Sequence, residues 1–126
     1  MITRHLNHRY GPLIMRLFVG FIMLIQHGLP KLLDFSSKKN SFPDPLGISS
    51  ELSLALVIFA EVICSVFIIL GLKTRLSSIP LIITMAVAAF IVHAGHPWSR
   101  QELPIIYLAC YVSLVFTGGG AFTLKD

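Results

Sequence analysis

Charged residues are scarce in this chain of 126 residues, where Asp, Glu, Lys and Arg together make up 13%. That share is roughly half of the usual one in soluble proteins. Hydrophobic residues make up 55%. A soluble domain of this length could not bury so much apolar surface, whereas a bilayer removes the need to bury it. The composition therefore excludes an ordinary soluble domain and indicates an integral membrane protein.

Other absences narrow the function. The formal net charge is only +4, and no basic run is long enough to indicate nucleic-acid binding. The two cysteines, Cys64 and Cys110, have neither CxxC nor metal-ligand spacing, and both fall in apolar segments. Their expected depths in the membrane differ by ~9 Å, which is too far for a ready disulfide. Two buried thiols are therefore favoured, and a transmembrane redox pair is the alternative.

Four long apolar segments nearly fill the chain. About 20 apolar residues at 1.5 Å rise each span a hydrocarbon core of about 30 Å. No small-residue cleavage site follows the first segment, so we interpret it as an uncleaved helix. We predict an all-α fold, a single transmembrane antiparallel four-helix bundle over residues 1–126. Its membrane helices are expected at about 13–33, 52–70, 76–93 and 103–117.

The distribution of Lys and Arg predicts the orientation. With four spans, both termini lie on one side, which carries six basic residues: Arg4, Arg9, Arg16, Lys73, Arg75 and Lys125. The other side carries four: Lys31, Lys38, Lys39 and Arg100. The positive-inside rule then places both termini in the cytoplasm, in a multi-pass protein of the cytoplasmic (inner) membrane.

Several ionisable side chains fall at membrane depth, where a charge needs compensation. Glu61 lies near the middle of the second segment, with Ser65 one turn further on the same face. Helical spacing places His27 and Lys31 on one face of the first helix. The third helix ends with two further histidines. If these helices pack together, they form a polar pocket in the outer half of the bundle, with the candidate residues His27, Lys31, Glu61, Ser65, His93 and His96.

Three interpretations of this cluster remain open. It is a polar network that fixes helix packing, a pocket for a small polar or quinone-like head group, or a metal site made by His27, Glu61, His93 and His96. The geometry at the end of the third helix is loose for a metal, so we assign none. The loop 34–50 is longer than a plain connector needs. An ordered cap over the pocket fits that length, and whether the loop forms one is left open by the sequence.

Three further features are expected to be structural. Arg16 lies near the inner surface, where it would extend to lipid headgroups. Trp98 and Tyr107 fit an aromatic belt at the outer interface. The stretch 98–102 is expected to be a loop that leads to Pro104 at the head of the fourth helix.

An ordered set of short motifs resembles the DoxX family of small four-helix membrane proteins. The resemblance covers nearly the whole chain from Leu13 on. The motifs are Arg16–Gly20, His27-Gly28, Lys31-Leu32, Pro45–Ile48, Glu61, Gly71–Arg75, Met85-Ala86, and Gly118–Gly120 before Thr123–Asp126.

This resemblance implies a cytoplasmic-membrane protein of bacterial or archaeal type. Relatives in the family include subunits of a thiosulfate:quinone oxidoreductase, and others are linked to oxidative-stress and thiol systems. The leading hypothesis is a membrane component of a quinone- or thiol-linked redox system. Its candidate ligand is a quinone or a small oxyanion, and its candidate partner beside membrane lipid is a redox protein. The alternative is a non-catalytic anchor or assembly partner whose polar cluster is structural. Whether the chain is an enzyme and whether it forms a homo-oligomer are left open by the sequence.

Overall fold

The chain folds into helices joined by short connections. The computed structural model describes residues 7–126. The long helices are α1 (Tyr10–Leu33), α3 (Ser50–Leu70), α4 (Thr74–Val92) and α5 (Trp98–Thr117), and a short helix α2 (Phe35–Lys38) lies after the first. Within residues 7–126 the only β-pairing is a single bridge between Leu72 and Lys125. The predicted all-α class is confirmed.

Three of the long helices, α1, α3 and α4, are long and apolar enough to cross a membrane. Large apolar side chains such as Phe18 and Phe90 lie exposed on their outer faces, which suits contact with lipid. Helix α5 has 20 residues, but its first turns contain the polar run Arg100-Gln101-Glu102, so only its later part is continuously apolar. The fold is therefore that of a multi-pass membrane protein, and a transmembrane four-helix bundle stays a proposal.

Local signals explain where the helices begin and end. Helix α3 begins after Ser49, whose hydroxyl caps the helix by accepting a hydrogen bond from the N–H of Leu52 at 3.1 Å. It ends at Gly71, where φ is +72°. The expected loop at 98–102 is wrong, because α5 already begins at Trp98, directly after Pro97. Its polar first turns look like a loop when only hydropathy is considered.

The apolar core lies between the long helices. Helix α1 packs against α3 and α5, while α4 packs against α3 and α5. Between them lies a cluster of buried side chains from all four long helices: Val19, Met23, Ala60, Cys64, Ile68, Leu81, Met85, Tyr107, Tyr111 and Leu114. Cys64 and Cys110 are both free thiols.

The two ends of the molecule are called the terminal end and the loop end. At the terminal end, the segment 118–126 returns to the start of α1 and to the turn after α3, with hydrogen bonds from the N–H of Ala121 to the carbonyl of Arg9 and from the N–H of Lys125 to the carbonyl of Gly71. The loop end carries the segment 34–50 and the turn 93–97. Of the basic residues counted for orientation, Arg4 lies outside the described residues.

Arg16 is completely buried at the terminal end, so the expectation that it extends to lipid headgroups is wrong. Its Nε donates to the carbonyl of Gly119 at 2.7 Å. Nη1 donates to the carbonyls of Ile68 and Ile69, and Nη2 to those of Ala121 and Phe122, at 2.7–3.2 Å. A guanidinium has five N–H groups, so every donor has an acceptor. The side chain joins α1, the end of α3 and the final segment.

Candidate functional site

A buried ion pair joins α1 and α3. The ammonium group of Lys31 donates a hydrogen bond to Oε1 of Glu61 at 2.7 Å, and the Glu61 side chain is only 4% exposed. Glu61 lies about 11 residues from the loop end of α3, or ~16 Å along the helix, near the middle of a membrane. Lys31, at 21% exposed, comes down from the loop end of α1 to meet it. The predicted compensation of this deep carboxylate by a neighbouring span is thus observed.

The two helices approach closely because of a glycine. A Cβ atom added at Gly28 would lie 2.7 Å from the carbonyl oxygen of Glu61 and 2.9 Å from a methyl of Val62. Only glycine permits this backbone contact. The close approach is what lets Lys31, three residues later, reach the carboxylate.

Each of the three helices that carry the candidate side chains departs from α-helical winding at the site. Short π-helical stretches occur at Leu24–Gly28 in α1, Phe59–Cys64 in α3 and Ala88–Val92 in α4. They contain His27 and Glu61 and directly precede His93. Such π-bulges are rare and are frequent at functional sites, where they reorient side chains. Sequence analysis did not identify them, since no local motif encodes them.

The ion pair lies at one side of a cavity of about 530 Å³ that is lined mainly by apolar side chains. This volume is within the range of small-molecule binding sites. All four long helices contribute. The polar side chains that line it are His27, Lys31, Ser53, Glu61, Thr84, His93, Ser99, Arg100 and Tyr107.

Four of the six predicted site residues, His27, Lys31, Glu61 and His93, line this cavity. Ser65 does not line it. Its side chain is fully buried, and its hydroxyl has no hydrogen-bond partner among residues 7–126. His96 is also outside the lining, although its Nδ1 lies 3.1 Å from Nδ1 of His93. Within residues 7–126, no group of three or more His, Cys, Asp or Glu side chains is close enough together to hold a metal ion.

Tyr107 was missed as a site residue. It is only 5% exposed and forms part of the cavity wall, so its expected place in an aromatic belt is wrong. Its ring contacts His27 edge to face, with centroids 5.6 Å apart, and stacks on Tyr111 at 6.0 Å. The signal available in the sequence was the spacing of Tyr107 and Tyr111, which are four residues apart and therefore lie on one face of a helix.

The segment 34–50 covers the loop end of the cavity, where Phe42, Pro43, Pro45, Leu46 and Ile48 line it. The sequence left open whether this segment caps the pocket, and in the structure it does cover that end of the cavity.

Asp44 organises the covering segment. Its carboxylate accepts hydrogen bonds from the N–H groups of Ile48 and Ser49 and from the hydroxyl of Ser53, each at 2.9 Å. Desolvation raises the pKa of this carboxyl, but the hydrogen bonds together outweigh that effect and lower the pKa below its ordinary value. The charged carboxylate thus ties the segment to the first turn of α3.

Comparison with known proteins assigns the chain to a family. The sequence profile of the DoxX family matches residues 11–94, which is more than half of the chain and includes α1, α3 and α4. The chain belongs to the DoxX family. An uncharacterised protein of Haemophilus influenzae is 31% identical over 119 residues, covering 89% of this chain and 86% of that protein. A second uncharacterised protein of the same organism is 28% identical over 120 residues, covering 89% and 79%. No solved structure matches the chain.

Membership in the DoxX family confirms the resemblance seen in the motifs. The ion-paired residues Lys31 and Glu61 both lie inside the matched range, as do His27, Gly28 and His93. The part of the cavity wall that α5 contributes lies beyond it. This DoxX protein is a membrane protein in contact with lipid, and its more specific role is a matter for proposal.

Proposed function

We propose that the cavity binds the polar head group of a small quinone-like ligand, and that this DoxX protein is a membrane component of a quinone- or thiol-linked redox system. The observation that carries the proposal is the juxtaposition of the Lys31–Glu61 ion pair with an apolar cavity of about 530 Å³. A buried charge pair stabilises a fold weakly at best, so its placement on a cavity wall favours a role in binding. A mainly apolar wall with few convergent polar groups is also the usual make-up of a small-molecule site.

Four of the polar side chains that line the cavity have a role in this proposal. Lys31 supplies positive charge and hydrogen-bond donors toward a head-group oxygen. His27 and His93 donate hydrogen bonds or relay a proton, and Glu61 is the group that exchanges the proton. These four side chains can exchange protons but cannot donate electrons. In this proposal the electrons that reduce the quinone come from a redox protein partner.

The proposed membrane, topology and orientation are those that the sequence predicts. We place the protein in the cytoplasmic membrane of a bacterium or archaeon as a four-helix transmembrane bundle with both termini in the cytoplasm. A homo-oligomer is compatible with the large exposed apolar faces of the long helices.

A second candidate function is a non-catalytic anchor or assembly partner, in which the cluster only fixes helix packing. The closed ion pair favours it, because Lys31 and Glu61 already satisfy each other at 2.7 Å and need no ligand.

Two substitutions separate these functions. Glu61→Gln and His27→Ala are made in the purified protein, with Glu102→Gln as the matched control because Glu102 is exposed and outside the cavity lining. Thermal stability and the affinity for a short-tailed benzoquinone are measured on each. The ligand proposal expects affinity to fall at least tenfold, about 1.4 kcal/mol, in folded variants. Loss of stability with unchanged affinity of the folded fraction would favour the structural function instead.

A further inference from the structure

The cavity extends around the side of α4 to the face of that helix that lies away from the core. Met85 faces the core and is only 5% exposed, yet it lines the cavity. Ile83 and Val87 line the same cavity, and each lies two residues from Met85, or roughly 200° around a helix. Ile83 is 58% exposed. A cavity that touches both faces of one helix must pass beside it to the molecular surface.

Helix α3 shows the same pattern on the opposing wall. Glu61 is buried, whereas Leu56, five residues earlier and roughly 140° around the helix, is 51% exposed and also lines the cavity. The other side of α3 is closed, because Gly28 of α1 lies against the backbone of Glu61 and the side chain of Val62.

The far side of α4 is closed in a corresponding way. It packs along α5, and the side chain of Gln101 donates a hydrogen bond to the carbonyl of Ala89 at 3.2 Å. The opening therefore lies between α3 and α4, and it is flanked by the apolar side chains of Leu56, Ile83 and Val87. Thr84 also lines the cavity on α4, but its hydroxyl donates a hydrogen bond to the carbonyl of Pro80 in the same helix at 2.8 Å.

We infer that these three apolar residues form a lateral portal through which a membrane-dissolved amphiphile reaches the cavity, with its head group at the Lys31–Glu61 pair and its hydrocarbon tail extending between α3 and α4 into the bilayer. The inference rests on the proposed function and narrows its ligand to a lipid-soluble one. A water-soluble oxyanion would instead arrive past the covering segment 34–50, and an apolar side opening would contribute nothing to its binding. The depth of the site supports this, because Ile83 lies midway along α4, nine residues from each end, and therefore faces acyl chains instead of headgroups.

The test compares two benzoquinones with the same head group, one with a decyl tail and one without, binding to the full chain in lipid nanodiscs. Ile83→Trp and Leu56→Trp narrow the portal. Their matched controls are Ile79→Trp and Leu52→Trp, one turn away on the same helix faces, exposed and outside the cavity lining. We expect the portal variants to slow association of the tailed quinone at least tenfold and to leave the tailless one unchanged, while both controls behave as wild type.

The alternative results are distinct. If both quinones bind the wild type and the portal variants slow neither, or slow both equally, the lateral portal is wrong while the proposed function stands. If neither quinone binds the wild type, the proposed function fails and the portal has no ligand to admit. A folded state of each variant, checked by its melting temperature, excludes misfolding as the cause of a slowed association.

Discussion

At the scale of single residues, Arg16 shows how a buried charge is stabilised without a carboxylate in direct contact. Its five donors all meet backbone carbonyls at 2.7–3.2 Å, two from the end of α3 and three from the segment 118–126. The carbonyls at a helix C-terminus carry partial negative charge, so the site is electrostatically suited to a cation. The planar fork of arginine reaches all of them at once.

We predict that Arg16→Lys destabilises the protein by about 3 kcal/mol, because an ammonium group has three donors and cannot span acceptors on both segments. Arg9→Lys is the control, since the Arg9 guanidinium is exposed and donates to the carbonyl of Gly120. That change should cost under about 1 kcal/mol, as surface interactions usually do. Thermal or denaturant unfolding in detergent measures both changes in stability. Equal losses of stability would show that the five carbonyls around Arg16 have no special role.

Asp44 gives a prediction for pH dependence. Since its pKa in the folded protein is lowered, its contribution is complete above the unfolded value of about 4 and is lost as the pH falls through the folded value. Asp44→Asn should therefore increase protease cleavage within 34–50 at neutral pH, and acid should do the same to the wild type. Asp34→Asn, on an exposed side chain in the same segment, should leave cleavage unchanged. Equal cleavage of all three proteins at neutral pH would contradict the assigned role.

At the scale of helices, the contact between α1 and α3 depends on Gly28. We predict that Gly28→Ala destabilises the protein by ~1–3 kcal/mol, because the added methyl would lie 2.7 Å from a backbone oxygen that cannot move aside cheaply. Gly11→Ala is the control, as nothing lies within 4 Å of the added atom and alanine favours a helix. That variant should be neutral or slightly more stable. Unfolding experiments that found the two variants equal would mean that α1 and α3 can separate without cost.

Helices were the part of the structure most accessible from sequence. Long apolar segments predict the helices, although each long helix begins two to five residues earlier than hydropathy indicates, because polar first turns resemble loops. Helical spacing also predicts four cavity residues. The π-helical stretches have no sequence signature, and the burial of Arg16 depends on carbonyls about 50 to 100 residues away. Tyr107 was missed because the fourth helix was expected to begin at about 103. An aromatic residue near that expected start fits a membrane interface as well as a cavity wall.

At the scale of the whole molecule, the two ends differ in what closes them. The terminal end is closed by the Arg16 contacts and by the Asp126 carboxylate, which accepts hydrogen bonds from the N–H groups of Thr74 and Gly119. The loop end contains the cavity and is covered by the segment 34–50. The cavity therefore lies between the hydrogen-bonded terminal end and the covering segment 34–50, and the inferred portal between α3 and α4 is its opening to the bilayer.

The last prediction concerns how the chain crosses the membrane, and in particular whether α5 does. If it does, the turn at Gly95 and the C-terminal end at Asp126 lie on opposite sides. A reporter that is active only in the cytoplasm should then work when fused after Asp126 and fail when inserted at Gly95. Apart from the adjoining residues, nothing lies within 4 Å of a Cβ atom added at Gly95. A reporter active only outside the cytoplasm should give the reverse pattern. Both positions on one side would mean that α5 does not span, and a full reversal would mean that the excess of basic residues at the terminal end does not set the orientation.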